Sequence, residues 1–217
     1  RVRANIAGFW GRYEDMQVAV TRSGTPFTVE RVVENAAKAK TRGVELEVQA
    51  LPLDGLLVTA GIGYLNAFFD RYVDSANNVP RPLQDLPPAT IDRTGDRFNN
   101  APRLQTNLTG QYTIDYTAGP TWLEGSVTPR IEWIYESAVW LAGIEATSLH
   151  QGHVNRLNAR LTWRFNDERT QLAFWGKNLT DAYYFRSGIA GTISTYGVAL
   201  RYYEPPRTFG FEVAHRF

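Results

Sequence analysis

Apolar and polar residues alternate one by one along nearly the whole chain, in runs too long for an ordinary soluble strand. Val44, Leu46, Val48 and Ala50 alternate with Glu45, Glu47 and Gln49. Leu157, Ala159, Leu161, Trp163 and Phe165 alternate with Asn158, Arg160, Thr162 and Arg164. Side chains on a strand point to opposite faces in turn, so each run has one apolar and one polar face. Similar runs lie near residues 2–20, 56–64, 103–116, 123–135 and 171–177, which gives about eight strands. Many reach the roughly 9–11 residues that a tilted membrane strand needs, whereas a soluble strand averages about five or six. The pattern predicts an all-β fold, an antiparallel transmembrane β-barrel.

The last run supports this. Phe209, Phe211, Val213, His215 and Phe217 share one face, and Thr208, Gly210, Glu212, Ala214 and Arg216 share the other. Such a strand suits lipid on one side and water on the other. A complete small eight-stranded barrel and a soluble β-sandwich binding module are the alternatives. The small barrel predicts pairing of Arg3–Val20 with Arg207–Phe217.

Connections alternate in length. Short turns fall near 52–55, 117–121 and 166–170. Long polar connections fall near 23–34, 73–101, 137–152 and 188–206. Outer-membrane barrels show this asymmetry, with short turns inside and long loops outside. The last strand then runs inward. Val29, Val32, Val33, Ala36 and Ala37 also fit helical spacing, so a short helix competes with strand there. Pro80, Pro82, Pro87 and Pro88 predict irregular backbone without a ladder over 73–101. Tyr and Trp cluster at run ends, as in the aromatic girdles of barrels.

No run approaches 18 apolar residues, so no helix is long enough to span a bilayer. The chain contains no cysteine, which removes disulfides and thiol chemistry. A net charge of +1 gives no field for nucleic acid. His150 and His153 form H-x-x-H without a supporting carboxylate, so no metal site or cofactor is expected. Ser187 lacks a G-x-S-x-G elbow, and no enzyme is expected. Gly61 and Gly63 lack the third glycine of a nucleotide loop, and Lys38, Lys40 and Arg42 read as a solvated basic run. No signal peptide opens the chain, which reads as a processed product or a fragment. Glu45 and Glu47 lie on one polar face, and Arg156, Arg160 and Arg164 on another. In a narrow barrel they would pair with each other; in a wide one they would face water or an inserted domain.

Several segments together resemble the TonB-dependent outer-membrane receptors. Thr41-Arg42-Gly43-Val44-Glu45-Leu46-Glu47 resembles that family's R-G-V-E-L-E strand, and Leu51-Pro52-Leu53-Asp54-Gly55-Leu56 its following turn. Asn100-Ala101-Pro102-Arg103 resembles a strand entry. Asn178-Leu179-Thr180-Asp181-Ala182-Tyr183-Tyr184 resembles the N-L-x-D-x-x-Y motif, and Pro206–Gly210 with Arg216-Phe217 the last strand.

The resemblance implies that residues 1–217 are about the last eight strands of a roughly 22-stranded barrel, without the plug domain and the N-terminal strands. It implies active uptake of a scarce ligand, such as a ferric siderophore, cobalamin, haem or a saccharide, in the bacterial outer membrane. The implied partners are outer-membrane lipid, the plug, the remaining strands, TonB through the missing N-terminal region, and the small-molecule ligand. The barrel-assembly machinery is a further partner, reading Phe209, Phe211, Val213 and Phe217. On this reading Trp140, Tyr196, Arg201, Tyr202 and Tyr203 contact ligand in outer loops, since aromatics and Arg favour recognition surfaces. Glu45, Glu47, Arg156, Arg160 and Arg164 face the plug.

Overall fold

The computed structural model describes residues 1–23, 29–75, 90–117, 124–141, 149–165, 169–189 and 200–217. The strands are β1 (Val2–Ser23), β2 (Val29–Leu53), β3 (Leu56–Ser75), β4 (Thr90–Asp92), β5 (Leu104–Tyr112), β6 (Ile114–Tyr116) and β7 (Gly125–Glu136). They continue as β8 (Val139–Trp140), β9 (His150–Gln151), β10 (Val154–Phe165), β11 (Thr170–Lys177), β12 (Phe185–Ile189), β13 (Leu200–Tyr203) and β14 (Thr208–His215). Eight of them form one antiparallel path in the order β1-β2-β3-β5-β7-β10-β11-β14. The path is a meander, as the alternating connections predict. The described residues hold no helix and no second sheet packed on the first, so the sandwich is excluded. Nor do they contain a pairing of β1 with β14. The eight strands do not close by themselves, contrary to the small-barrel expectation.

Two local readings are corrected. Residues 29–37 are strand, not helix. Val29 pairs with Ser23, and the ladder continues through Val33 opposite Ala19 and Asn35 opposite Gln17. Partners distant in sequence override a local helical spacing. The ladder also carries strand into the connection expected over 23–34. The second correction concerns 73–101. Its described part is partly regular: β4 pairs with Val73–Ser75 of β3, and Arg97 bridges Phe68. Phe98 then packs at a tilt on Phe69 at 4.8 Å, and Phe69 likewise on Tyr72 at 4.8 Å. The prolines at 80–88 lie outside the described residues.

Register places all apolar members of the alternation on one face. The row Ile6, Leu46, Ile62 crosses three strands, and the row Leu161, Phe174, Phe211 crosses three more. This face is exposed: Ile6 by 77%, Phe174 by 60% and Phe209 by 70%. It is bounded on both sides. On β3 the apolar row Leu56, Val58, Ala60, Ile62, Tyr64 gives way to Asn66, which stands opposite Arg42 of β2. The stretch from Leu56 to Tyr64 is about the reach of one membrane crossing. Trp133 stacks on Tyr135 (6.2 Å) near one boundary, and Trp163 stacks on Phe165 (5.8 Å) near the other. There the Trp163 indole N–H also donates to the Tyr116 hydroxyl.

Buried apolar residues gather mostly beyond the Tyr64 boundary, among them Ala37, Ala39, Ala67, Leu149 and Phe185. Asp54-Gly55 makes the tight turn between β2 and β3, with Gly55 at φ 81°, as a hairpin of this sequence demands. Gly43 admits the Phe9 ring. A Cβ there would lie 2.4 Å from Phe9 Cζ and 2.5 Å from the Tyr64 carbonyl oxygen. Gly43→Val is expected to destabilise the sheet by roughly 1–3 kcal/mol through overpacking. The measurement is a urea midpoint in detergent micelles. Adding Phe9→Ala relieves only the side-chain part of the clash, so a full rescue would refute this account.

Candidate functional site

Two regions of the structure carry chemistry. The first is the polar face. Arg156, Arg160 and Arg164 project from β10 with Asn158 and Thr162 between them. Arg156 pairs with Glu136 at 2.8 Å, and its guanidinium lies 5.2 Å over the Tyr184 ring. Arg160 pairs with Glu212 of β14 at 3.0 Å. Asn158 donates to Glu132 at 2.9 Å. Arg164 Nε donates to Gln171 at 3.3 Å. Glu45 and Glu47 lie on the same polar face four strands away, exposed and without a cation among the described residues. The two charge sets are therefore not brought together. Glu136 and Glu212, the acids that meet the arginines, were readable from alternation but were not singled out.

The second region lies at the loop end, where two of the long connections form small hairpins, β8–β9 and β12–β13. Tyr203 stacks on Tyr183 at 4.4 Å and meets Phe185 edge-on at 5.7 Å. The Arg201 guanidinium sits 4.8 Å over the Phe185 ring and donates to the Tyr203 hydroxyl at 3.4 Å. Arg201 and Tyr203 are thus together, joined by Tyr183 and Phe185, which sequence reasoning missed. Tyr202 is exposed and follows alternation to the other side of β13. Trp140 packs instead at a tilt on His150 at 4.4 Å. Tyr196 lies outside the described residues. His153 stacks on Tyr135 at 6.3 Å, so the H-x-x-H pair serves two separate aromatic contacts. Among the described residues no three His, Asp or Glu groups gather in a metal-binding cluster. His215 accepts or donates a hydrogen bond with Thr170 at 3.0 Å and packs edge-on against Phe217.

The two stacked tyrosines titrate apart. Hydrogen bonds from Arg201 and Tyr183 to the Tyr203 oxygen stabilise its phenolate, and its pKa is lowered, with Arg201 the larger cause. Tyr183, whose proton is held on Tyr203, is raised. On alkaline titration Tyr203 is expected to ionise before Tyr183. Arg201→Gln should move the earlier step of the phenolate absorbance to higher pH; an unmoved curve refutes the assignment.

A clasp ties these regions. Beyond β11, Asn178 and Asp181 both adopt φ 53°. Asn178 is buried, with 5% exposed. Its backbone N–H donates to Asn158 Oδ1 at 2.9 Å, and its amide donates to the Ala182 carbonyl at 3.0 Å. Its oxygen accepts from the Ala182 N–H at 2.9 Å. Thr180 donates to the Asn155 carbonyl at 2.9 Å, and Asp181 accepts from the Arg207 N–H at 3.3 Å. Short polar side chains tolerate these left-handed positions by bonding locally.

A single antiparallel meander with one exposed apolar face, bounded by aromatics, and one charged face is a wall of a transmembrane β-barrel. Residues 1–179 match the family described as TonB dependent receptor-like, beta-barrel, and the chain belongs to that family. Among solved structures it is similar to the ferric yersiniabactin uptake receptor FyuA from Yersinia pestis (TM-score 0.72, 21% identity, 100% of this chain and 28% of that one). The siderophore receptor PiuA from Acinetobacter baumannii matches at TM-score 0.68 and 18% identity, over 99% of this chain and 26% of that one. The ferric-catecholate import receptor Fiu from K12 E. coli matches at 0.65 and 16%, over 100% and 25%. This chain therefore spans about a quarter of the length of these receptors.

Proposed function

We propose that residues 1–217 form the C-terminal part of the barrel of an outer-membrane receptor that takes up a scarce ligand by TonB-dependent transport. A ferric siderophore is the first ligand class to test, because the similar structures include receptors named for such ligands. The observation that carries the reading is the exposed apolar face bounded by aromatic rows, which is stable only against lipid. The polar face then turns inward, with Glu45, Glu47, Arg156, Arg160 and Arg164 towards a plug domain supplied by other residues of the protein. The remaining strands pair with the free edges of β1 and β14, since open edges in lipid leave backbone groups unsatisfied. TonB is contacted through the N-terminal region of the protein. The terminal strand with Phe209, Phe211, Val213 and Phe217 is read by the barrel-assembly machinery.

The test is a deletion of the whole gene, followed by uptake assays with labelled ferric siderophores in the presence and absence of TonB. Loss of TonB-dependent accumulation of one class is the expected result. Unchanged uptake of every class, with the protein absent from the outer-membrane fraction of the parent strain, would overturn the reading. Within it, Tyr203→Ala is expected to weaken ligand binding by about 1 kcal/mol or more, because it removes the centre of the Tyr183–Arg201–Phe185 cluster. Equal affinity of variant and wild type would remove this cluster from the binding surface.

A further inference from the structure

One hollow on the polar face, of about 230 Å³, is lined by cationic and neutral hydrogen-bonding side chains and by no carboxylate. Arg130, Arg160 and Arg164 stand around it, with the hydroxyls of Thr113, Thr128 and Thr162 between them. The amides of Gln111 and Gln171 complete its edge. Arg130 and Arg160 are directly opposed across the β7–β10 ladder. Like charges in that position repel and destabilise a sheet.

The acids nearby lie outside this lining, Asp115 and Glu124 in the adjoining hollow with Arg164, and relieve the repulsion only in part. Arg160 meets Glu212 at 3.0 Å, while Arg130 reaches Glu132 only at 3.7 Å. Arg164 has no carboxylate partner among the described residues, and its one hydrogen bond there runs from Nε to Gln171. Its terminal nitrogens remain for something else. The Thr113 and Thr128 oxygens lie 3.2 Å apart, so one hydroxyl of that pair is left to donate elsewhere. Guanidinium forks match the spacing of carboxylate and phosphate oxygens, and charge-assisted bonds of this kind are about twice as strong as neutral ones.

We propose that this hollow binds one oxyanion, a carboxylate or phosphate group, held by Arg130, Arg160 and Arg164 with the threonine hydroxyls. The group comes either from a small solute or from an acidic side chain of the polypeptide packed against this face. The polypeptide source rests on the plug of the transport reading, whereas binding of a small oxyanion stands apart from it and persists even if no ligand uptake is found.

Phenylglyoxal modification of the full-length protein in detergent micelles reads each arginine separately by peptide mass, with inorganic phosphate as the probe and exposed Arg71 as reference. A free-solute site gives three reactive arginines that phosphate slows severalfold while Arg71 is unchanged. A polypeptide source gives arginines unreactive in both buffers. In that case Arg160→Lys, which keeps the charge, couples under carbodiimide to an acidic residue of the protein other than its neighbour Glu212. Two results overturn the proposal: reaction as fast as Arg71 with and without phosphate, or silence in both buffers with no coupled carboxylate beyond Glu212.

Discussion

Replacing Asn178 by alanine is expected to weaken the sheet by about 2–5 kcal/mol. The change strips the partner from both the N–H and the carbonyl of Ala182. Ala182 is half-buried, and its two backbone groups left unsatisfied there cost about 1–3 kcal/mol together. It also places a Cβ without local hydrogen bonds at φ 53°, which adds roughly 1–2 kcal/mol. Asn178→Gly separates the two causes, because glycine keeps the left-handed conformation and loses only the side-chain bonds. The urea midpoints of the refolded protein in micelles should therefore fall in the order wild type, Gly, Ala. An alanine variant as stable as wild type would show that the clasp contributes nothing.

Phe174→Arg is the second large effect. Phe174 packs on Phe211 at 4.9 Å in the middle of the exposed apolar face. An arginine at the bilayer midplane costs about 2–4 kcal/mol. In water the same substitution would remove an exposed ring and help solubility, so the sign of the effect distinguishes a lipid-facing wall from a wet one. Gln49→Lys, on the polar face of β2, should leave the folding free energy in phospholipid vesicles nearly unchanged. Equal behaviour of the two variants would refute the assignment of the faces.

The strands and their faces were legible because alternation is a local property of the chain. Leu172, Phe174 and Gly176 take their side of the sheet from spacing alone. Residues 29–37 were not legible, since their state depends on a ladder to Met16–Ser23 that no local pattern announces. β4 was hidden for a related reason: the proline density around 80–88 masks three residues that pair with Val73–Ser75. The loop-end cluster was half legible. Arg201 and Tyr203 belong to one short strand, but Tyr183 and Phe185 reach them only through the folding back of β12 on β13. Tyr202 and Trp140 were grouped with them on residue type. Alternation already separates Tyr202 from Tyr203, and the ring of Trp140 is occupied by His150. Asn178 was recognised as part of a motif, and its physical role as a buried clasp emerged only from its hydrogen bonds.

The exposed apolar face also bears on thermodynamics. A globular domain shows a heat-capacity increment of roughly 12–15 cal/mol/K per residue on unfolding, because its hidden apolar surface becomes wet. Here the apolar surface meets lipid in the folded state. Where the unfolded chain stays adsorbed to detergent or bilayer, that surface meets hydrocarbon again. The increment per residue should then fall well below the globular range. The stability curve should be correspondingly flat, with cold denaturation pushed out of reach.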